Sequence, residues 1–184
     1  MNALENCIII AKHDFPEVYP SAERPNVTYV NLKFFEYLNL TARRYSRRSP
    51  IYYMELHALT LFTIDNSAVV HFFYYEFLSN RYMPTFVEAH VKMCDMEKDD
   101  FVIGVSMRNA LQKMLDQQPP DQRVTNSTHC PYPPGKYDLV NMTTPRSPLY
   151  RSFPFQKGRI YINVTVHKEL VAEMYIDLEI KNFY

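Results

Sequence analysis

The clearest alternation of apolar and polar positions lies near the C-terminus. Ile160, Ile162, Val164 and Val166 share one parity, and Arg159, Tyr161, Asn163, Thr165 and His167 the other. Ala172, Met174, Ile176, Leu178 and Ile180 then alternate against Glu173, Asp177, Glu179 and Lys181. A period of two puts successive side chains on opposite faces of a pleated strand, so each run predicts a half-buried strand. Thr85–Cys94 follows the same rule, with Val87, Ala89, Val91 and Met93 opposed to Glu88, His90 and Lys92. From Val27 to Thr41 the pattern reads as one half-buried strand with Asn39 facing water. Tyr52–Ile64 alternates, whereas Ala68–Leu78 is apolar on both faces, as in a central strand or one that lines a cavity. Asp65-Asn66-Ser67 between them predicts the turn of a hairpin.

The period changes after Asp99-Asp100. Val102, Val105, Leu111, Met114 and Leu115 recur at three- and four-residue spacing, predicting an amphipathic helix near 100–116 that ends before Pro119-Pro120. A short strand follows at Tyr137–Thr143, between proline-rich loops. Residues 1–25 read as an irregular arm broken by Pro16, Pro20 and Pro25, with one short strand at Cys7–Lys12. The basic run Arg43–Arg48 reads as a solvated turn. The fold class is therefore mostly β: an antiparallel β-sandwich or β-cup of roughly seven strands with one amphipathic α-helix, forming a single domain over 26–184.

Composition sharpens this picture. The 184 residues suit one domain, and 15 Tyr and 12 Phe beside 3 Gly and no Trp favour sheet. Twenty basic side chains balance twenty acidic ones, which removes the usual electrostatic footprint of a nucleic-acid binder. No run approaches the roughly 20 apolar residues of a spanning helix, so no membrane span is expected.

Five Asn-x-Ser/Thr sequons occur, at Asn26, Asn39, Asn126, Asn141 and Asn163, where roughly one is expected by chance from twelve Asn. The N-terminus shows only the short apolar run Ile8–Ala11, too brief for a signal peptide, which alone would suggest the cytosol. The cluster of sequons outweighs it, and the reading is a secreted, glycosylated protein whose invisible signal reflects a truncated sequence, a first exon left out or an unconventional start.

Little else points to chemistry. Cys94 and Cys130 bracket the helix; a disulfide there would tie the end of a strand to the loop beyond, the alternative being two unpaired buried thiols. Cys7 is then left over, as a free thiol, an intermolecular bridge or, the preferred reading, a cysteine whose partner lies in missing sequence. The histidines stand without metal-ligand spacing. Glu88 and His90 share a face and are the one acid/base candidate, but no nucleophile elbow, phosphate loop or dinucleotide fingerprint accompanies them. No catalytic residue, metal or cofactor is assigned, and a non-enzymatic role is expected. The cluster Phe72–Phe77 either stacks a ligand or fills the core.

One resemblance adds to this. A strand ending in Cys94, the helix at 100–116, Asn126 ahead of His129-Cys130-Pro131-Tyr132, and Phe153-Pro154-Phe155 followed by Gly158-Arg159-Ile160-Tyr161 together carry it. From about Pro50 onward the chain resembles a large insect family of secreted proteins related to the CheB chemosensory proteins. Those in turn are similar to the ganglioside activator and other lipid-recognition (ML-like) proteins. The resemblance implies a β-cup with a Cys94–Cys130 disulfide, secretion, glycosylation, and binding of lipid, hydrocarbon or pheromone-like molecules. Family members begin with a signal peptide and carry further cysteines in the first strands, where this chain has only Cys7. The expected partners are thus a small apolar ligand and a receptor protein, in chemosensation. The alternative is an extracellular protein–protein interaction module with a solid core and no ligand.

Overall fold

The computed structural model describes residues 17–44, 46, 51–98, 104–143 and 154–183. Among these residues eight strands form two antiparallel sheets: β1 (Glu17–Val30), β8 (Glu169–Phe183), β7 (Lys157–Val166), β4 (Ala68–Leu78) and β5 (Arg81–Lys92) in that order, and β2 (Phe35–Arg43), β3 (Tyr53–Thr60) and β6 (Gly135–Met142) in the other. Among the described residues a single α-helix, α1 (Gly104–Gln117), lies between β5 and β6 in the chain. The mostly-β sandwich or cup with one helix is what the alternation predicts. The helix-start signal Asp99-Asp100, Val102, Cys7 and the Cys7–Lys12 strand lie outside the described residues.

The long C-terminal hairpin β7–β8 and the hairpin β4–β5 each turn through two residues, with Val166 opposite Glu169 and Leu78 opposite Arg81. His167, Lys168, Ser79 and Asn80 all take positive φ, the backbone that two-residue hairpins favour because its twist matches that of the strands. Alternation then sorts the faces: Val164, Val166, Ala172, Met174, Ile176 and Leu178 are buried between the sheets.

Three boundaries differ from the sequence reading. The arm over 1–25 is a strand from Glu17, paired with β8 despite Pro20 and Pro25. β1 is an edge strand, so a proline without N–H need break no ladder there, and the register shift between Glu23 and Asn26 absorbs Pro25 and the positive φ of Arg24. The predicted strand Val27–Thr41 is the end of β1 and the start of β2. Asn31 turns the chain: its side chain accepts the Lys33 N–H (3.0 Å) and its carbonyl accepts those of Phe34 and Phe35. The turn carries the chain from one sheet to the other.

The predicted hairpin around Asp65-Asn66-Ser67 is likewise a crossing between sheets. β3 pairs with β2 and β6, whereas β4 pairs with β5 and β7. The local turn forms as read, Asp65 Oδ1 accepting the Ser67 N–H at 2.7 Å, but the arms on either side find other partners. β4, greasy on both faces, is an inner strand of the five-stranded sheet.

Candidate functional site

The two sheets meet along one side, where β1 packs on β2. On the opposite side β5 and β6 are the facing edges, and α1 packs against β6. Ala110, Leu111, Met114 and Leu115 are buried on the helix, against Tyr132, Tyr137 and Leu139. Val105, counted in the apolar stripe, is 45% exposed. The stripe that packs is therefore the second half of the helix.

Between the sheets remains a cavity of about 220 Å³ that is partly open to solvent. β2 and β3 contribute Leu38, Leu40, Met54 and Ala58; β4, β7 and β8 contribute Val70, Phe72, Ile162 and Met174; Met107 and Leu111 of α1 close one side. Six of the nine methionines line it: Met54, Met93, Met96, Met107, Met142 and Met174. Unbranched thioether side chains re-pack at small energetic cost, so this wall can follow the outline of more than one guest.

The wall holds polar residues, and the hydroxyls of Thr60, Ser106 and Tyr137 among them are committed elsewhere. The Thr60 hydroxyl donates to the Gly135 carbonyl (3.3 Å) and accepts the Gly135 N–H (3.2 Å). Ser106 Oγ accepts the Thr143 N–H at 2.8 Å, and the Tyr137 hydroxyl donates to the Pro133 carbonyl at 2.6 Å. Burial pushes the Tyr137 phenol up to about 12, so it stays neutral. Among the described residues no polar atom faces the open space. A guest there is held by desolvation and dispersion alone.

The splayed side is stapled. Cys94 and Cys130 form the disulfide, Cα to Cα 5.4 Å, joining the end of β5 to the loop before β6. Both carboxylate oxygens of Glu97 accept the Cys130 N–H (3.1 and 3.2 Å), and the Tyr132 hydroxyl donates to the same carboxylate. Burial first, then the hydrogen bond to Glu97 and its charge, raises the Tyr132 phenol well above its ordinary range. A two-way backbone bridge between Ile64 and Tyr132 fixes the loop to the β3–β4 crossing. The Cys-Pro-Tyr block thus forms a corner of the cavity, where Ile64, Met93, Met96 and Tyr132 all reach the wall.

No family model matches this chain, and no curated protein matches it.

Other sequence candidates are placed as follows. Asn26, Asn39 and Asn126 are exposed, and Asn141 and Asn163 half-buried. Glu88 and His90 do not form a described pair: His90 Nδ1 meets His71 Nδ1 at 2.6 Å across the strands, and Glu88 lies opposite Phe73. Among the described residues no three of His, Cys, Asp and Glu converge as metal ligands, and no helix is long and apolar enough to cross a membrane. Of the aromatic cluster, Phe72 reaches the cavity, Tyr74 is buried beside Gly158, and Phe73, Tyr75 and Phe77 alternate onto the opposite face of β4. Sequence reasoning missed the contribution of β2, β3 and β6 and the methionine lining. Nine methionines in one chain were the available signal, but which of them converge depends on sheet pairing.

Proposed function

We propose that this chain is a secreted, non-enzymatic glycoprotein that carries or presents a small apolar ligand in the cavity between its sheets, with a receptor protein as its second partner in chemosensation. The observation that carries the reading is the cavity. At about 24 cal/mol per Å³, an empty space of 220 Å³ forgoes about 5 kcal/mol of packing. Net domain stability is only about 5–15 kcal/mol. A chain with 27 aromatic side chains had the material to fill that space, so its retention supports a guest rather than the solid core of a pure interaction module. The volume exceeds the roughly 150 Å³ apolar cavity known to take up benzene. The disulfide and the five sequons support an extracellular setting.

The test is a thermal-shift series with n-alkanols of increasing length on the purified, oxidised chain. Each added methylene contributes about 0.8 kcal/mol, so the midpoint should climb with chain length and level off once the cavity is full. A midpoint indifferent to chain length would exclude the reading.

A further inference from the structure

The outer face of the five-stranded sheet carries an unusual row of rings. In register across adjacent strands, Phe73 lies opposite Tyr161 and Tyr161 opposite Tyr175. Tyr75 and Tyr161 meet at 4.8 Å between centroids, Tyr161 and Tyr175 at 6.0 Å, and Phe77 and Tyr82 at 5.0 Å. Arg159 threads through them, its guanidinium 3.8 Å from the Tyr175 centroid and 4.2 Å from that of Tyr82, with Asp177 Oδ1 accepting from Nε at 2.7 Å. Burial opposes its charge, but Asp177 and the tyrosine oxygens outweigh burial and hold the Arg159 proton even more firmly than usual. The guanidinium is thus a fixed cationic spacer that keeps the rings in place.

The outer face of the three-stranded sheet is unlike this. There Arg43 pairs with Glu55 (2.6 Å), and His57 and Lys136 pair with Asp138 (2.8 and 2.9 Å). Ion pairs also edge the ring-bearing face, where Lys181 meets Glu23 and Glu179, but between them Phe73, Tyr75, Tyr161 and Tyr175 lie half-buried in one connected row, each still showing part of its ring outward.

Two of the five sequon asparagines stand on the ring-covered face itself. Asn26 is directly opposite Tyr175, and Asn163 lies two residues from Tyr161 on the same face, opposite His71 and Glu173. They flank the Tyr161–Tyr175 pair from two sides. We propose that the N-linked sugars at Asn26 and Asn163 are the cover of this face, their pyranose rings lying on the tyrosine ladder, whereas any sugar at Asn39 or Asn126 stands free. Aromatic faces are electron-rich and attract the polarised C–H bonds on the flat side of a pyranose, and the tyrosine hydroxyls and Glu173 supply hydrogen-bond partners at the rim. The inference rests on the extracellular, glycosylated reading and is independent of what the cavity binds.

The experiment uses the chain secreted from insect cells behind a supplied leader. Glycopeptide mapping should find Asn26 and Asn163 occupied. Removal of the sugars from the folded protein with a peptide N-glycosidase, or the double variant Asn26→Gln/Asn163→Gln, should raise binding of an anilinonaphthalene dye several-fold and produce concentration-dependent self-association in sedimentation velocity. The control Asn39→Gln/Asn126→Gln should do neither. Adding Tyr161→Ser/Tyr175→Ser to the deglycosylated protein should return it to a monomer with low dye binding. An unoccupied Asn163 in the secreted protein would overturn the proposal. So would a deglycosylated chain that stays monomeric and dye-silent, or association that the control pair produces equally. None of these outcomes bears on the alkanol series.

Discussion

Ala58 offers the sharpest test of whether the space between the sheets is truly unfilled. It sits on β3 with 3% of its surface exposed, and its side chain reaches the cavity wall. Replacing it with leucine adds three methylene-sized groups. If they enter vacant space, transfer contributes up to about 2.4 kcal/mol at about 0.8 kcal/mol per group, less about 0.5–1 kcal/mol of leucine rotamer entropy. The expected outcome for Ala58→Leu is a gain of about 1.5 kcal/mol, a rise in thermal midpoint of roughly 3–6 °C for a domain this size. The same substitution occupies the room a guest needs, so alkanol-induced stabilisation should fall at least tenfold in apparent affinity. Urea unfolding followed by circular dichroism reads the first quantity, and repetition with a saturating alkanol reads the second. In a core packed to ordinary density, the extra atoms would instead cost about 1–3 kcal/mol. A destabilised variant with unchanged alkanol response would refute the reasoning.

Three further outcomes follow from the same contacts. Replacing Cys94 and Cys130 together with serine should cost about 4 kcal/mol, the chain-entropy value for a closed loop of 36 residues, seen as a lower urea midpoint that reducing agent reproduces in the native chain. Gly158→Ala should cost about 1–3 kcal/mol, because an added Cβ would stand 2.3 Å from the Tyr75 carbonyl oxygen and 2.4 Å from the Tyr74 ring; an unchanged midpoint would contradict that packing. Acid stability should reflect His71, whose burial and then its neighbour His90 depress its pKa below 6.5. The unfolded chain then takes up the proton first, so stability present above pH 6.5 declines as pH falls below it. Urea midpoints of a His71→Phe variant should show a shallower decline over that window.

The ring-covered face shows how the last strands combine two roles in one alternation. Ile160, Ile162 and Val164 fill the interior while Arg159, Tyr161 and Asn163 build the outer surface, and the resemblance block Gly158-Arg159-Ile160-Tyr161 spans both. The glycine is there because Tyr74 presses on it, and the arginine because Asp177 and two tyrosines surround it.

What the sequence alone determined is what depends on neighbours along the chain. The period of two in Ile160–Val166 and Ala172–Ile180 states strand and face together, because each residue's side is set by its position in the pleat. The three- and four-residue spacing over Leu111, Met114 and Leu115 did the same for the helix. Turn chemistry at Asp65 was legible too. Pairing was not: Asp65-Asn66-Ser67 closes a turn whether the flanking strands pair with each other or part to different sheets, and only the partners β2, β5, β6 and β7 decide it. Prolines at 20 and 25 read as breakers until β1 proved to be an edge, where a missing N–H leaves no ladder broken. The cavity belongs wholly to tertiary structure. Six methionines from 54 to 174 meet only because two sheets join along β1 and β2, while α1 and the Cys94–Cys130 bridge stand between the facing edges β5 and β6. A void is a property of the distance between layers, and no residue carries that distance in its own identity.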